Sequence, residues 1–127
     1  MFQRKGDSFY MSEKELFCTI GLGLGATVDQ LLGLTGDDVT DGYISLHVGP
    51  LRIQRTYVLP EEVAKSIQNR TGKIFSMSRE EALTAAGAYD FLPMTMQRYY
   101  NKTDDIYYPM HIMGIEQPED IPWYNND

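Results

Sequence analysis

The stretch from residue 25 to 63, GATVDQLLGLTGDDVTDGYISLHVGPLRIQRTYVLPEEV, constrains the fold more than any other, because it reads as four elements in a fixed order. Ala26 and Thr27 open a helix whose apolar residues Val28, Leu31, Leu32 and Leu34 recur at helical spacing until Gly36. Asp37-Asp38 and Asp41-Gly42 make a polar turn. Ile44, Leu46 and Val48 then alternate with Tyr43, Ser45 and His47, the pattern of a strand with one buried face. Gly49-Pro50 breaks that run and residues 51–59 resume an extended pattern, so an antiparallel hairpin over 43–58 is the local solution. Pro60 suits a first helical turn, where its missing N–H is no loss, and Glu61 and Glu62 complement the helix dipole. A helix over 61–70, stopped by Gly72, is expected.

The flanks are less regular. Ser12 and Glu15 fit a capping box for a helix burying Leu16, Phe17 and Ile20, which should weaken at Gly21, Gly23 and Gly25. The alternative there is a strand over 16–24. Residues 73–77 suggest a short strand, and Ser78 with Glu81 repeats the capping box for a helix over 79–88. Pro93 restarts the chain into a short helix over 94–102. Beyond Asn101, blocks of Asp, Tyr, Pro, Glu and Asn leave only 110–113 as a packed turn. Residues 1–11 read as an arm and 12–127 as one domain of the α+β class, mainly helical with one small antiparallel sheet.

At 127 residues the chain has room for one core. Its net charge of -7 opposes general affinity for polyanions, because nucleic-acid binding rests on phosphate neutralisation by Lys and Arg. The distribution softens that objection: between 52 and 102 eight Lys and Arg stand against five Asp and Glu. Cys18 is alone, which excludes an internal disulfide and suits a reducing, cytoplasmic setting. No apolar run reaches membrane-spanning length, and the opening MFQRKGDSFY lacks the apolar stretch of a secretion signal, so a soluble protein with no membrane partner is expected. His47 and His111 have no partners at ligand spacing, which argues against a metal site. No Gly-Lys-Ser/Thr phosphate loop or serine elbow occurs, and no small-molecule cofactor is implied.

The order of elements over about half the chain resembles the catalytic domain of the tyrosine recombinases, the phage-integrase family. That family runs from a helix of the form glycine, apolar, arginine, into a Trp-Asp-Asp-Ile-like turn and a hairpin bearing a lysine. An Arg-Thr-Val-Pro-Leu-Pro string and a glutamate-led helix follow. Here the matching pieces are residues 25–39, the hairpin, and Arg55-Thr-Tyr-Val-Leu-Pro60. The resemblance implies a shortened fold of that kind and, were it active, attack by a tyrosine on a DNA phosphodiester. Carried over by position, the first arginine falls on Thr27 and the hairpin lysine near Pro50. Residues 95–99 lie on the His-x-x-Arg-His box, with Thr95 for histidine and Arg98 retained. Residues 112–115 lie on the Leu-Gly-His element with Ile115 for histidine, and Tyr124 stands at the nucleophile's spacing. Only Arg98 and Tyr124 remain of the constellation. Because barrier reduction comes from several donors held together, the resemblance implies a degenerate domain of a mobile element that no longer exchanges strands.

Plainer readings stand beside these. Arg98 is either a phosphate ligand or a surface arginine among aromatics, and Tyr124 with Trp123 is equally an aromatic pair docked on its own core. Arg52, Arg55 and Lys73 either track a DNA backbone or solvate exposed positions. Two functions follow. The first is binding to duplex DNA, or to a partner recombinase, through the basic 52–102 segment. The second is an acidic protein-binding or inhibitor module, self-association included, that uses the tail and the tyrosine-rich residues 99–108.

Overall fold

Residues 11–67 and 70–124 are described by a computed structural model. The arm assigned to residues 1–11 lies outside the described residues except for Met11, whose N–H donates to Ser66 Oγ at 3.0 Å. Helix α1 (Glu13–Leu24) starts at the expected capping box: Ser12 Oγ accepts from the Glu15 N–H and Glu15 Oε1 from the Ser12 N–H, both at 3.1 Å. The strand alternative is thereby set aside. Contrary to expectation, α1 runs straight through Gly21 and Gly23. The reason is tertiary: the Phe91 ring occupies the space a Cβ on Gly21 would need, and the Tyr57 ring does the same at Gly23.

Helix α2 (Val28–Leu32) is shorter than its apolar spacing suggests, because Gly33 caps it and Leu34 is buried from the following loop instead. A 3₁₀ turn, Gly36–Asp38, leads to the hairpin. Strands β1 (Tyr43–Val48) and β2 (Ile53–Val58) pair antiparallel, with Ile44 opposite Tyr57, Leu46 opposite Arg55 and Val48 opposite Ile53 on the face turned to the protein. Tyr43, Ser45 and His47, with Val58, Thr56 and Gln54, form the outward face. Helix α3 (Glu61–Ile67) follows Pro60 as expected, but Arg70 at the end of the 61–70 range is not helical, and residues 68 and 69 lie outside the described residues.

The strand expected over 73–77 is reduced to one bridge between Lys73 and Thr35; Ile74 and Phe75 are instead driven into the core. Helix α4 (Arg79–Ala86) begins at the Ser78 and Glu81 box and ends at Gly87. Helix α5 (Leu92–Thr103) starts two residues before the expected point. The segment expected as a packed turn is a helix, α6 (Tyr107–Met113). Its start was hidden because the N-cap is Ile106, which carries no side-chain cap, and the Tyr107 N–H is met one residue earlier by Asp105 Oδ1 at 2.9 Å, in a run with no apolar period.

The fold is thus α+β, six helices and one two-stranded antiparallel sheet among the described residues. Two apolar clusters hold it. The larger surrounds α1, with Phe17 edge-on to Phe75 at 5.0 Å and to Phe91 at 6.2 Å. The smaller joins Val48 of β1 to Leu92, Met96 and Ile112, with Trp123 packed against it. Among the described residues no helix is long and apolar enough to cross a membrane.

Candidate nucleic-acid interface

A recess of about 530 Å³ opens between α1, β2 and α5. Helix α1 contributes Thr19, Leu22 and Gly23 to its wall and β2 contributes Tyr57. Helix α5 supplies Thr95, Arg98, Tyr99, Asn101 and Lys102. Arg98 and Lys102 are four residues apart, so both cations emerge on one face of α5. Among the described residues neither has an ion-pair partner and no carboxylate lines the recess. Burial pushes the Tyr57 phenol above its ordinary pKa, and the charge of Arg98 pulls in the other direction, which ties the two groups electrostatically.

The wall is held from behind by Arg55. Its Nε donates to the Leu24 carbonyl at 2.9 Å and its Nη2 to the Gly23 carbonyl at 3.1 Å, so it serves partly buried carbonyls of the last turn of α1. Its Nη1 donates to Tyr108 Oη at 2.7 Å, and the Tyr108 ring tilts against Tyr99 at 4.8 Å. Tyr99 Oη donates in turn to Asp105 at 3.1 Å, and burial with that carboxylate raises the Tyr99 phenol. Arg55, read from sequence as a DNA contact, therefore has its guanidinium engaged inside the protein.

Thr95 is buried, its hydroxyl 2.8 Å from the Leu22 carbonyl oxygen and 3.0 Å from that of Phe91, so it fastens α5 to α1. Thr27 caps α2: its Oγ1 accepts from the Gln30 N–H at 3.1 Å, while Gln30 Oε1 accepts from the Thr27 N–H at 3.0 Å. Pro50 is exposed at the ribbon tip, with its ring against Gly114, next to half-buried Ile115. The ribbon lies beside α2, since Gln30 Nε2 donates to the His47 carbonyl at 2.8 Å. Tyr124 meets α5 through Tyr100, ring centroids 5.5 Å apart. Tyr100 is two residues from Arg98, about 200° round the helix axis, so Arg98 and Tyr124 approach α5 from different sides.

Arg52 sits in the ribbon turn with φ 55 and Lys73 beside Thr35, both exposed and neither in the recess. Sequence reasoning counted Lys102 only within the basic 52–102 segment, without singling it out, and missed Tyr57. The i, i+4 relation of Arg98 and Lys102 was a usable signal; the arrival of β2 against Gly23 was not, being a tertiary contact. Among the described residues no group of three or more His, Cys, Asp or Glu is placed to hold a metal ion.

No family model matches this chain, and no curated protein matches it. Among solved structures, the catalytic domain of bacteriophage HP1 integrase is similar with a TM-score of 0.49 and 20% identity, covering 80% of this chain and 67% of that one. At that TM-score and identity the likeness assigns neither family nor activity.

Proposed function

We propose that this chain is a degenerate, integrase-like domain of a mobile element such as a phage, working in the cytoplasm, which binds DNA through its phosphates and does not exchange strands. The observation that carries the reading is the pairing of Arg98 with Lys102 on one wall of a recess that, among the described residues, no carboxylate lines. Two cations facing a hollow, without an ion-pair partner among the described residues, offer charge-assisted hydrogen bonds to a phosphate. Loss of strand exchange follows from what the other positions do. The Thr27 hydroxyl caps a helix, the Thr95 hydroxyl bonds to carbonyls, Pro50 has no charge, and Tyr124 packs on Tyr100. A pentavalent phosphorus needs several donors converging at once, and one arginine with one lysine supply only part of that field.

Fluorescence anisotropy with a labelled duplex at low salt tests the reading. Binding weaker than about 1 µM at physiological salt is expected, tightening as salt is lowered. Arg98→Ala and Lys102→Ala should each weaken it severalfold. A flat titration at low salt with the duplex and with a single strand alike would end the proposal. No covalent capture of nicked DNA is expected from the parent or from Tyr124→Phe.

A second reading, an acidic module that binds a protein or a second copy of itself, has one observation in its favour. On the outward face of the ribbon Val58, 72% exposed, stands opposite the exposed Tyr43. Light scattering decides for self-association: a dimer in the parent that dissociates in Val58→Lys supports it, and a monomer removes it.

A further inference from the structure

Resting on the reading of the recess as a phosphate site, we infer that its ligand is single-stranded DNA with one nucleotide inserted, and not the duplex. The shape comes first. A recess of about 530 Å³ bounded by three elements and open on its outer side is in the range that holds one small-molecule-sized group, and the body of a duplex is too wide to enter it. A single strand can turn one nucleotide inward while its neighbours stay outside.

The chemistry of the wall fits the parts of a nucleotide separately. Arg98 and Lys102 meet the phosphate, and the Asn101 amide offers both a donor and an acceptor to a base edge. Tyr57 and Tyr99 give flat apolar faces suited to a base, whatever its identity. Both rings are fixed in advance. Tyr57 is seated over Gly23, and Tyr99 is held by Tyr108 and by its bond to Asp105. A pre-set platform loses little freedom when a base arrives, which is what a stacking site for a flexible strand requires.

Charge points the same way. A duplex carries one negative charge per about 1.7 Å of axis, so any long contact brings many phosphates against a molecule of net charge -7 with two cations at the recess. A single strand touching through one or two phosphates avoids most of that repulsion.

The test is anisotropy at 50 mM salt with fluorescein-labelled octathymidylate and a hairpin duplex of equal stem length. The wild type is compared with Arg98→Ala, Lys102→Ala and Tyr57→Leu, with thermal unfolding to show that each variant is folded. Binding of the octamer at least about tenfold tighter than the duplex supports the inference, provided Arg98→Ala and Tyr57→Leu each reduce it about tenfold. The log–log salt slope should be near -1.4, the value for about two phosphates on a single strand. Should Tyr57→Leu prove unfolded, the slope and the Arg98→Ala loss decide alone. Equal or tighter binding of the duplex, still sensitive to Arg98→Ala, overturns the single-strand inference and leaves the parent reading standing. Octamer binding indifferent to Arg98→Ala, or no binding of either probe, overturns both.

Discussion

Arg55 and Arg98 carry the same charge and lie on neighbouring elements, yet they do opposite work. Arg55 makes three hydrogen bonds inside the protein, two of them to carbonyls at the end of α1. Arg55→Met removes donors that partly buried acceptors depend on, and a loss of about 2–3 kcal/mol in urea denaturation is expected. Arg98→Ala, with an exposed side chain and no ion-pair partner among the described residues, should change stability by less than about 0.5 kcal/mol while weakening DNA binding. Sequence reading could not divide these roles, because the carbonyls that claim Arg55 lie 31 and 32 residues earlier in the chain. Gly49 shows the same limit at the backbone. Its φ of 76 alone favours glycine, and a Cβ there would also collide with the Ile112 carbonyl. Gly49→Ala should therefore cost about 2 kcal/mol or more by the same measurement, the left-handed backbone and the collision adding together.

At the scale of elements, what was legible was what is local. The boxes at Ser12 and Ser78 are closed within three residues, so α1 and α4 start where the sequence says. The ribbon was legible for the same reason, since its alternation and its turn are neighbours. The length of α2, the helix at 107–113 and the loss of the 73–77 strand were not, because each is decided by what packs against it. The joint between α2 and α4 is a further contact no local pattern announces. Arg79 Nε donates to Asp29 Oδ1 at 2.8 Å and Tyr89 Oη to Asp29 Oδ2 at 3.1 Å. The Arg79 hydrogen bond, with smaller help from Tyr89, holds the Asp29 carboxyl below its ordinary value. A depressed folded pKa contributes stability above the unfolded value of about 3.9 that is lost as pH falls through the folded one. Stability of the wild type relative to Arg79→Gln should therefore be greatest above about pH 5 and shrink toward zero as pH drops below about 4, measured by urea denaturation across that window. The groups are at the surface, so the effect is small and should fade in high salt.

For the whole molecule the open question is whether the C-terminal third folds with the rest or as a separate layer on it. Its composition of Tyr, Pro, Asp and Glu shows no period, so its packing was the least legible part of the chain. It nonetheless ends with Ile121 1% exposed and with Trp123 against the cluster of Val48, Leu92, Met96 and Ile112. Leu46 of β1 touches both clusters, and α5 reaches from Phe91 and Thr95, locked to α1, to Met96 in the smaller cluster. A loss of the smaller cluster would strip apolar cover from the ribbon and from one face of α5 at once, so the two clusters should melt together. Trp123 is the single tryptophan in the chain, and its emission reports the smaller cluster alone, whereas helical circular dichroism reports chiefly the helices around α1. The two urea transitions are expected to coincide, and Ile121→Ala should move both to lower urea by the same amount, a loss of about 2–4 kcal/mol. A tryptophan transition that precedes the helical one would mean that the tail and α6 form their own unit, and the recess wall at Tyr99, which leans on Tyr108 of α6, would then loosen before the rest of the protein unfolds.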